Sequence, residues 1–593
     1  MLKKTVALVS VFALMLTLLF TIEINPVYAE GGSFTLDSSS RIYIVSKAEP
    51  QEKLVEAIEL VDSQMAAVGI PGDTPMTIAY GSESKAKAGD IIVKVDSDVE
   101  KQGYKIETTG KNLKVSASTV SGMTYGLDYI LQQFMVEGNT VSIDVSDSPD
   151  AVERTVLLDC GRKYYSRQWI ENFIKRMSWQ KYTALELHFS DTHGMRFESK
   201  TFPWLNEPEG EYLTYEDLQS ICQVARQYHI ELIPEIDSPG HLDYVIEKYA
   251  DYVAKNPDFS FEYDGVTYDN SSEGFGSISN YYMYNGAKSS YNNTGIDLAN
   301  PVAVAFISAL IDEYADFFAK EGSRNFNIGG DELFGWKGTT VGGKSFDMNS
   351  LWSAMEHWEH HAQKELGIEN GSAADTFISY LNSTGARLAE KGYTCRVWND
   401  ELHRAKDQHV ELDPSIEIVY WTNDYTPMSQ LASNGNKIHN TNTGWCYYVI
   451  REDKHGGDIM DKTRKRCNAR NIYENWDIHN CANPKDKALL IPEETYAGGY
   501  FAMWADSPDY KDAAQVWDDT YYRTWANSAK LWDNKAQESA TYDEYKAYVD
   551  TIGCFPGYSG DSEVDSVLPE CGELVSELGF MDKVKAFFAG LFT

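Results

Sequence analysis

The stretch Arg324-Asn325-Phe326-Asn327-Ile328-Gly329-Gly330-Asp331-Glu332-Leu333-Phe334-Gly335 begins as a short run fit for a buried strand and ends in two glycines and two adjacent carboxylates. Glycines at a strand end let the backbone turn sharply and let a ligand come close. Neighbours within a regular strand point to opposite faces, so Asp331 and Glu332 share one site only if the strand stops there. The C-terminal end of a strand is where a (β/α)8 barrel places its chemistry. The alternative is a polar turn with two solvated acids, and the surrounding chain decides between them.

Working outward, strands and helices alternate from residue 151 to about 535. Apolar strand candidates lie at 155–158, 184–189, 231–236, 325–328, 394–398, 416–421, 437–440 and 498–504. Eight such strands separated by helical stretches predict an α/β fold, a (β/α)8 TIM barrel. Polar or aromatic residues flank nearly every strand. Arg154 flanks the first, and Asp191-Thr192-His193 follow the second. Glu235, Asp237 and His241 end the third, and Asp331-Glu332 the fourth. Trp398-Asn399-Asp400-Glu401 end the fifth, Trp421 the sixth, Tyr447 and Tyr448 follow the seventh, and Trp504 and Asp506 end the eighth. Carboxylates, an Arg, a His, Tyr and three Trp converging on one mouth have the composition of a sugar pocket.

Residues 34–150 read as a small α+β domain preceding the barrel, with strands near 41–45, 91–95, 103–106 and 113–115 and helical periodicity at 52–68 and 121–136. It holds no catalytic constellation. Residues 1–29 read as a secretory signal peptide: Lys3 and Lys4, an apolar run, then Val27-Tyr28-Ala29 before a cut. An uncleaved membrane anchor is the alternative. The mature protein is therefore expected to be secreted or held at the cell surface. The 593-residue chain carries 52 Lys and Arg against 89 Asp and Glu, a net charge of −37. Such a surface repels nucleic acid and anionic membranes and is compatible with a neutral substrate. Aromatic residues are 13% of the chain; many belong to the core, but ring walls also suit the C–H faces of sugars. Eight cysteines are scattered without a CxxC. Cys467/Cys481 and Cys554/Cys571 are spaced for local disulfides, whereas Cys160 and Cys395 sit in apolar runs as buried thiols. No His/Cys spacing suggests a metal, and neither metal nor cofactor is expected. The extension at 536–593 is helical or irregular. Its apolar run 580–592 with Lys583 and Lys585 suits a cap on the barrel, a membrane-surface helix or the start of a further module.

The ordered set Arg154 with Leu157-Leu158-Asp159 and Arg162, Ser190-Asp191-Thr192-His193-Gly194, Pro234-Glu235-Ile236-Asp237-Ser238-Pro239-Gly240-His241, Gly329-Gly330-Asp331-Glu332, Trp398, Trp421, the Tyr pair and Trp504 resembles glycoside hydrolase family 20, the β-N-acetylhexosaminidases. The likeness runs from residue 34 to about 550. It implies a retaining, substrate-assisted reaction, an exception to the two-carboxylate scheme, in which the 2-acetamido oxygen of a terminal GlcNAc or GalNAc attacks the anomeric carbon to give an oxazolinium. Glu332 would be the acid/base and Asp331 would steady the acetamido group. Trp398, Trp421 and Trp504 would wall the pocket. Tyr448, with Tyr447 the other candidate, would donate to the acetamido carbonyl. Arg154 would grip the 3- and 4-hydroxyls, Asp506 would accept from the 4- or 6-hydroxyl, and Asp191 and His241 would support the acid.

Two departures stand out. Many members have a Tyr-aliphatic-Asp after the seventh strand, whereas Tyr448-Val449 leads to Ile450 here; and His193 stands where a Gln is usual. A long insertion at 256–295, rich in Tyr, Asn, Ser and Gly, suits either aglycone subsites or surface decoration. The missing carboxylate and the insertion also suit a lacto-N-biosidase, which releases a disaccharide. A non-catalytic glycan-binding barrel is the reading from another class, against which both carboxylates are present.

Overall fold

The computed structural model describes residues 32–556 and 558, except 207–210, 280–294, 334–339, 342–343, 346–351, 353–354, 403–406, 423–427, 463 and 482–489. The signal stretch 1–29, the apolar run 580–592 and Cys571 lie outside the described residues.

The first domain is a sheet backed by two helices. In chain order it comprises β1 (Arg41–Val45), α1 (Glu52–Ala67), β2 (Thr77–Gly81), β3 (Asp90–Val95), β4 (Tyr104–Thr109), β5 (Asn112–Ala117), α2 (Val120–Glu137) and β6 (Asp144–Asp147). The sheet order is β2-β1-β3-β5-β4-β6, parallel as far as β5 and antiparallel beyond it. The sequence reading missed β2 and β6, which lie at the two sheet edges. Neither has a fully buried residue, so neither shows a strong apolar alternation.

All eight expected barrel strands form. The barrel comprises β7 (Glu153–Asp159), α3 (Arg167–Trp179), β8 (Ala184–His188), α4 (Tyr215–Gln227), β9 (Glu231–Glu235), α5 (Asp243–Lys255), α6 (Pro301–Glu321), β10 (Asn325–Asn327), α7 (Ala373–Glu390), β11 (Thr394–Trp398), β12 (Glu417–Tyr420), β13 (Ile438–Asn440), β14 (Tyr447–Val449), β15 (Tyr496–Trp504) and α8 (Ala513–Trp532). Parallel pairing runs β13-β12-β11-β10-β9-β8-β7-β15, and β15 pairs with β13 to close the ring. The seventh position is divided. β13 pairs with the lower half of β15, Ile438 opposite Tyr496 and Asn440 opposite Gly499. β14 pairs with the upper half, Tyr447 opposite Ala502 and Val449 opposite Trp504.

A polar network crosses the barrel interior. Arg396 on β11 bridges Glu153 on β7 at 2.7 Å and Glu417 on β12 at 3.1 Å, and donates to the Tyr500 hydroxyl at 2.6 Å. Tyr500 donates to Glu186 at 2.8 Å, which also accepts from Asn327 at 2.9 Å. A buried ion network is weak evidence for stability, but this one ties six strands to one register and so sets which residues emerge at the mouth.

The domains meet around Trp532 at the end of α8. Its ring lies 6.0 Å from that of Tyr104 and 5.4 Å from that of Tyr125, with the Lys181 ammonium 3.8 Å from its centre. Arg154 belongs to this joint, which corrects its expected role. It sits near the N-terminal start of β7, fully buried, donating to the carbonyls of Lys181 and Ala151 and to the Tyr125 hydroxyl. Catalytic mouths lie at the opposite, C-terminal end of the strands, beyond its reach.

The described part of the insertion, 256–279, is not loose decoration. It forms a hairpin, Phe261–Tyr263 with Val266–Tyr268, whose Phe261 packs on Phe202 and on Phe306 of α6. The disulfide expectation is corrected for Cys467 and Cys481, which are buried free thiols, as are Cys160 and Cys395. The C-terminal extension includes α9 (Tyr542–Ile552), whose Tyr548 donates to Gln132 of α2 at 2.7 Å.

Candidate active site

The quoted stretch behaves as its glycines require. β10 stops at Asn327, and Gly329 and Gly330 follow at φ +74° and +96°. A Cβ on Gly329 would lie 1.7 Å from Asp237 Oδ1, so only glycine lets the chain pass this carboxylate. Glu332 itself takes φ +45°, strained backbone for a non-glycine residue. The turn is held by Glu332 N–H donating to Asp400 Oδ2 at 2.9 Å. Asp331 and Glu332 thereby line the same cavity, of about 790 Å³, at the barrel mouth.

Around them the strand ends supply the walls. Trp421, Tyr447, Val449, Trp504 and Asp506 line the cavity, together with Asp191, His193, Asp237 and His241. Trp421 Nε1 donates to Asp400 Oδ1 at 2.9 Å, and its ring stacks near-parallel on Tyr447, 11° between planes and 6.2 Å between centres. Asp506 faces Arg451 at 3.6 Å. Trp398 lies beneath the cavity rather than on its wall. It is 1% exposed, donates to Glu235 at 2.8 Å, and its ring is 5.9 Å from that of Trp504.

The tyrosine choice is corrected. Alternation along β14 turns Tyr447 and Val449 into the cavity and Tyr448 away from it. The Tyr448 hydroxyl donates to Asp519 of α8 at 2.9 Å. Arg162, just past the end of β7, takes the place expected of Arg154. It lines the cavity, bridges Asp159 at 2.9 Å and Asp191 at 2.8 Å, and lies 5.5 Å from the Trp504 ring centre. Strand polarity was the signal that separates the two arginines: Arg154 precedes the strand core and Arg162 follows it.

A chain of buried charges runs under the carboxylates. His188 lies between Asp191 at 2.8 Å and Glu235 at 2.9 Å. Burial works against its charge, yet the two carboxylates raise it well above the usual histidine range. His241, at φ +52°, faces Asp191 at 3.4 Å, Asp331 at 3.7 Å and Glu332 at 3.6 Å. Burial opposes its charge too, but Asp191 and Asp331 pull it up to about 9. Burial would raise the Asp191 carboxyl, but Arg162 and His241 hold it well below the ordinary range. Burial raises Glu332, with the His241 charge opposing. Burial and then Asp237 raise Asp331, and burial raises Asp237 to about 8. An oxygen of each of these last two carboxyls lies within 4.8 Å of the other's, and two like charges that close favour a single proton on the pair. The sequence reading placed Asp237 at the end of the third strand and gave it no proton to hold.

Asp237, His241 and Asp331 each offer a ligand atom, all within 4.8 Å of one another. What the mouth offers chemically is a protonatable carboxyl, a second acid with a switchable proton, and an aromatic box.

Residues 153–535 match the family described as glycosyl hydrolase family 20, catalytic domain. A lacto-N-biosidase of Bifidobacterium bifidum is 23% identical over 88% of this chain, which spans 40% of that protein's length. β-Hexosaminidase subunit A1 of Dictyostelium discoideum is 22% identical over 81% of this chain and 80% of its own. Among solved structures, an exo-β-N-acetylglucosaminidase of Vibrio harveyi in complex with N-acetylglucosamine superposes with a TM-score of 0.61 at 18% identity, covering 88% of this chain and 74% of its own. A Streptomyces plicatus β-hexosaminidase variant with GlcNAc bound gives 0.59 at 17% identity, covering 90% and 93%. With the barrel closed and the paired carboxylates at its mouth, this chain belongs to glycosyl hydrolase family 20.

Proposed function

We propose that this enzyme is an exported β-N-acetylhexosaminidase that removes terminal β-linked N-acetylhexosamine from glycans, with retention, using the substrate's acetamido oxygen as nucleophile. The observation that carries the reading is the pair Asp331 and Glu332, brought to one cavity by the strained turn after β10, beside the stacked rings of Trp421 and Tyr447. Glu332, raised by burial, protonates the leaving oxygen and then takes a proton from water. Asp331 accepts from the acetamido N–H and faces the positive charge that develops there. That charge favours ionised Asp331 and drives the shared proton onto Asp237. Tyr447, not Tyr448, donates to the acetamido carbonyl. Trp421 and Trp504 hold the group in line for attack, an orientation effect worth several kcal/mol, on the order of effective-molarity terms. Export rests on the residues at 1–29.

NMR of the first turnovers tests the mechanism. The β-anomer should appear first, a thiazoline mimic of the oxazoline should bind far more tightly than N-acetylglucosamine, and a β-glucoside with a 2-hydroxyl should be inert. Initial α-product, or a sugar trapped on a protein carboxylate, overturns it.

A second reading, release of a disaccharide, is favoured by Val449. It faces the cavity two residues after Tyr447; with Tyr447 rather than Tyr448 as the inward tyrosine, Val449 and not Ile450 stands where the family resemblance leads one to expect a hydroxyl-binding carboxylate. An apolar residue there leaves room for a further sugar. A chromogenic panel comparing monosaccharide and disaccharide release separates the two.

A further inference from the structure

The cavity continues past the acid. Beyond His241 its wall is one stripe of α5, formed by Asp243, Ile246, Glu247 and Ala250, whose spacing places them on a single helical face. Another face of α5 is packed, with Val245, Tyr249 and Val253 buried. The cavity stripe carries two carboxylates beside an apolar patch, and Glu247 and Ala250 are exposed to the space. His193 lines the cavity too, as do Arg451 and Arg464, which follow β14 in the chain. Arg451 faces Asp506 at 3.6 Å, whereas the charges that α5 brings to the cavity are both negative.

We propose that this stripe of α5 is the subsite for the leaving sugar, and that Glu247, with Asp243, makes it select neutral or amine-bearing aglycones over carboxylated or sulfated ones. The proposal rests on Glu332 being the acid, because the atom it protonates belongs to the leaving group. α5 begins just beyond His241, whose Nε2 is 3.6 Å from Glu332 Oε2. A leaving sugar bonded at that oxygen and running along this branch of the cavity meets Ile246 with an apolar face and Glu247 with its substituents. A carboxylate or sulfate there faces two like charges, and an ammonium faces two partners.

The test is kcat/KM on three substrates sharing the donor the enzyme releases and differing only in the leaving sugar: N-acetylglucosamine, glucosamine at a pH that keeps its amine protonated, and glucuronate. The expected order is amine, neutral, carboxylate. Glu247→Gln should narrow the amine-to-carboxylate ratio by roughly three- to fivefold, the scale of a half-exposed charge pair, and Glu247→Lys should invert the preference. Added salt should narrow the wild-type ratio. A ratio unmoved by both substitutions and by salt overturns the proposal. Should Glu332→Gln keep full turnover on these disaccharides while Glu247→Lys still inverts the order, the identity of the acid falls and the α5 subsite stands.

Discussion

At the scale of single residues, the site is a set of carboxyls whose protons are sorted by burial and by two histidines. Glu332 must be protonated to act on a poor leaving group. Glu332→Gln should therefore depress hydrolysis of natural glycosides by roughly 10²- to 10⁴-fold and that of nitrophenyl glycosides far less, since nitrophenolate leaves without a proton. Equal losses on both, measured as kcat/KM, would show that Glu332 is not the acid. The His241 charge opposes the rise of the Glu332 pKa. Removing that charge in His241→Gln raises it further, so the alkaline limb of the pH–rate profile should move to higher pH. Movement to lower pH contradicts the arrangement. Tyr447→Phe should lower kcat roughly a hundredfold, the scale of losing part of the orientation that holds the acetamido oxygen in line for attack. Tyr448→Phe breaks only a bond to α8 and should leave kcat near wild type.

At the scale of elements, the two arginines near β7 show what strand polarity does. Arg162 at the upper end lines the cavity, and Arg154 at the lower end ties the barrel to the first domain. Arg154→Met strands buried carbonyl and hydroxyl acceptors and should destabilise the protein by roughly 2–4 kcal/mol, seen as a lower Tm with KM unchanged. Arg162→Met should raise KM. The reverse pattern would restore Arg154 to the substrate. β14 makes a similar point: as a separate strand on the upper half of β15, it has a face of its own to present. Val449→Asp places a carboxylate on the cavity wall and should shift products from disaccharide toward monosaccharide if the wild type releases disaccharide.

At the scale of the whole molecule, several buried acids hold protons that the unfolded chain gives up. Burial raises Asp128 in α2 and Asp237 at the mouth to about 8, against 3.8 for an ordinary aspartate. Burial raises Glu186 in the barrel interior to about 8, from 4.5. A carboxyl raised on folding binds more protons in the native state throughout that window, so stability falls as pH climbs from about 4 to about 8. Glu417 has the opposite sign. Burial opposes its charge, yet His439 and Arg396 bring it down to about 2; its contribution is present above the ordinary value and is lost as pH falls toward 2. The optimum should lie on the mildly acidic side, reinforced by self-repulsion of the −37 charge at neutral pH. Calorimetry should show Tm declining from pH 5 to pH 8, with a smaller decline in Asp128→Asn.

The sequence by itself determined the barrel, its eight strands and the paired acids, because each rests on a local pattern: apolar runs of strand length, and glycines that end one of them. Asp331, Glu332, Trp421, Trp504, Asp506, Asp191 and His241 were all legible as strand-end residues and all line the cavity. Only the tertiary structure decided which of two adjacent tyrosines faces inward, since alternation gives two answers until β14 is registered on β15. Only it placed Trp398 under the floor, brought Asp237 within 4.8 Å of Asp331, and turned a stripe of α5 into cavity wall. Those properties depend on distances between segments far apart in the chain, about which composition and periodicity carry no information.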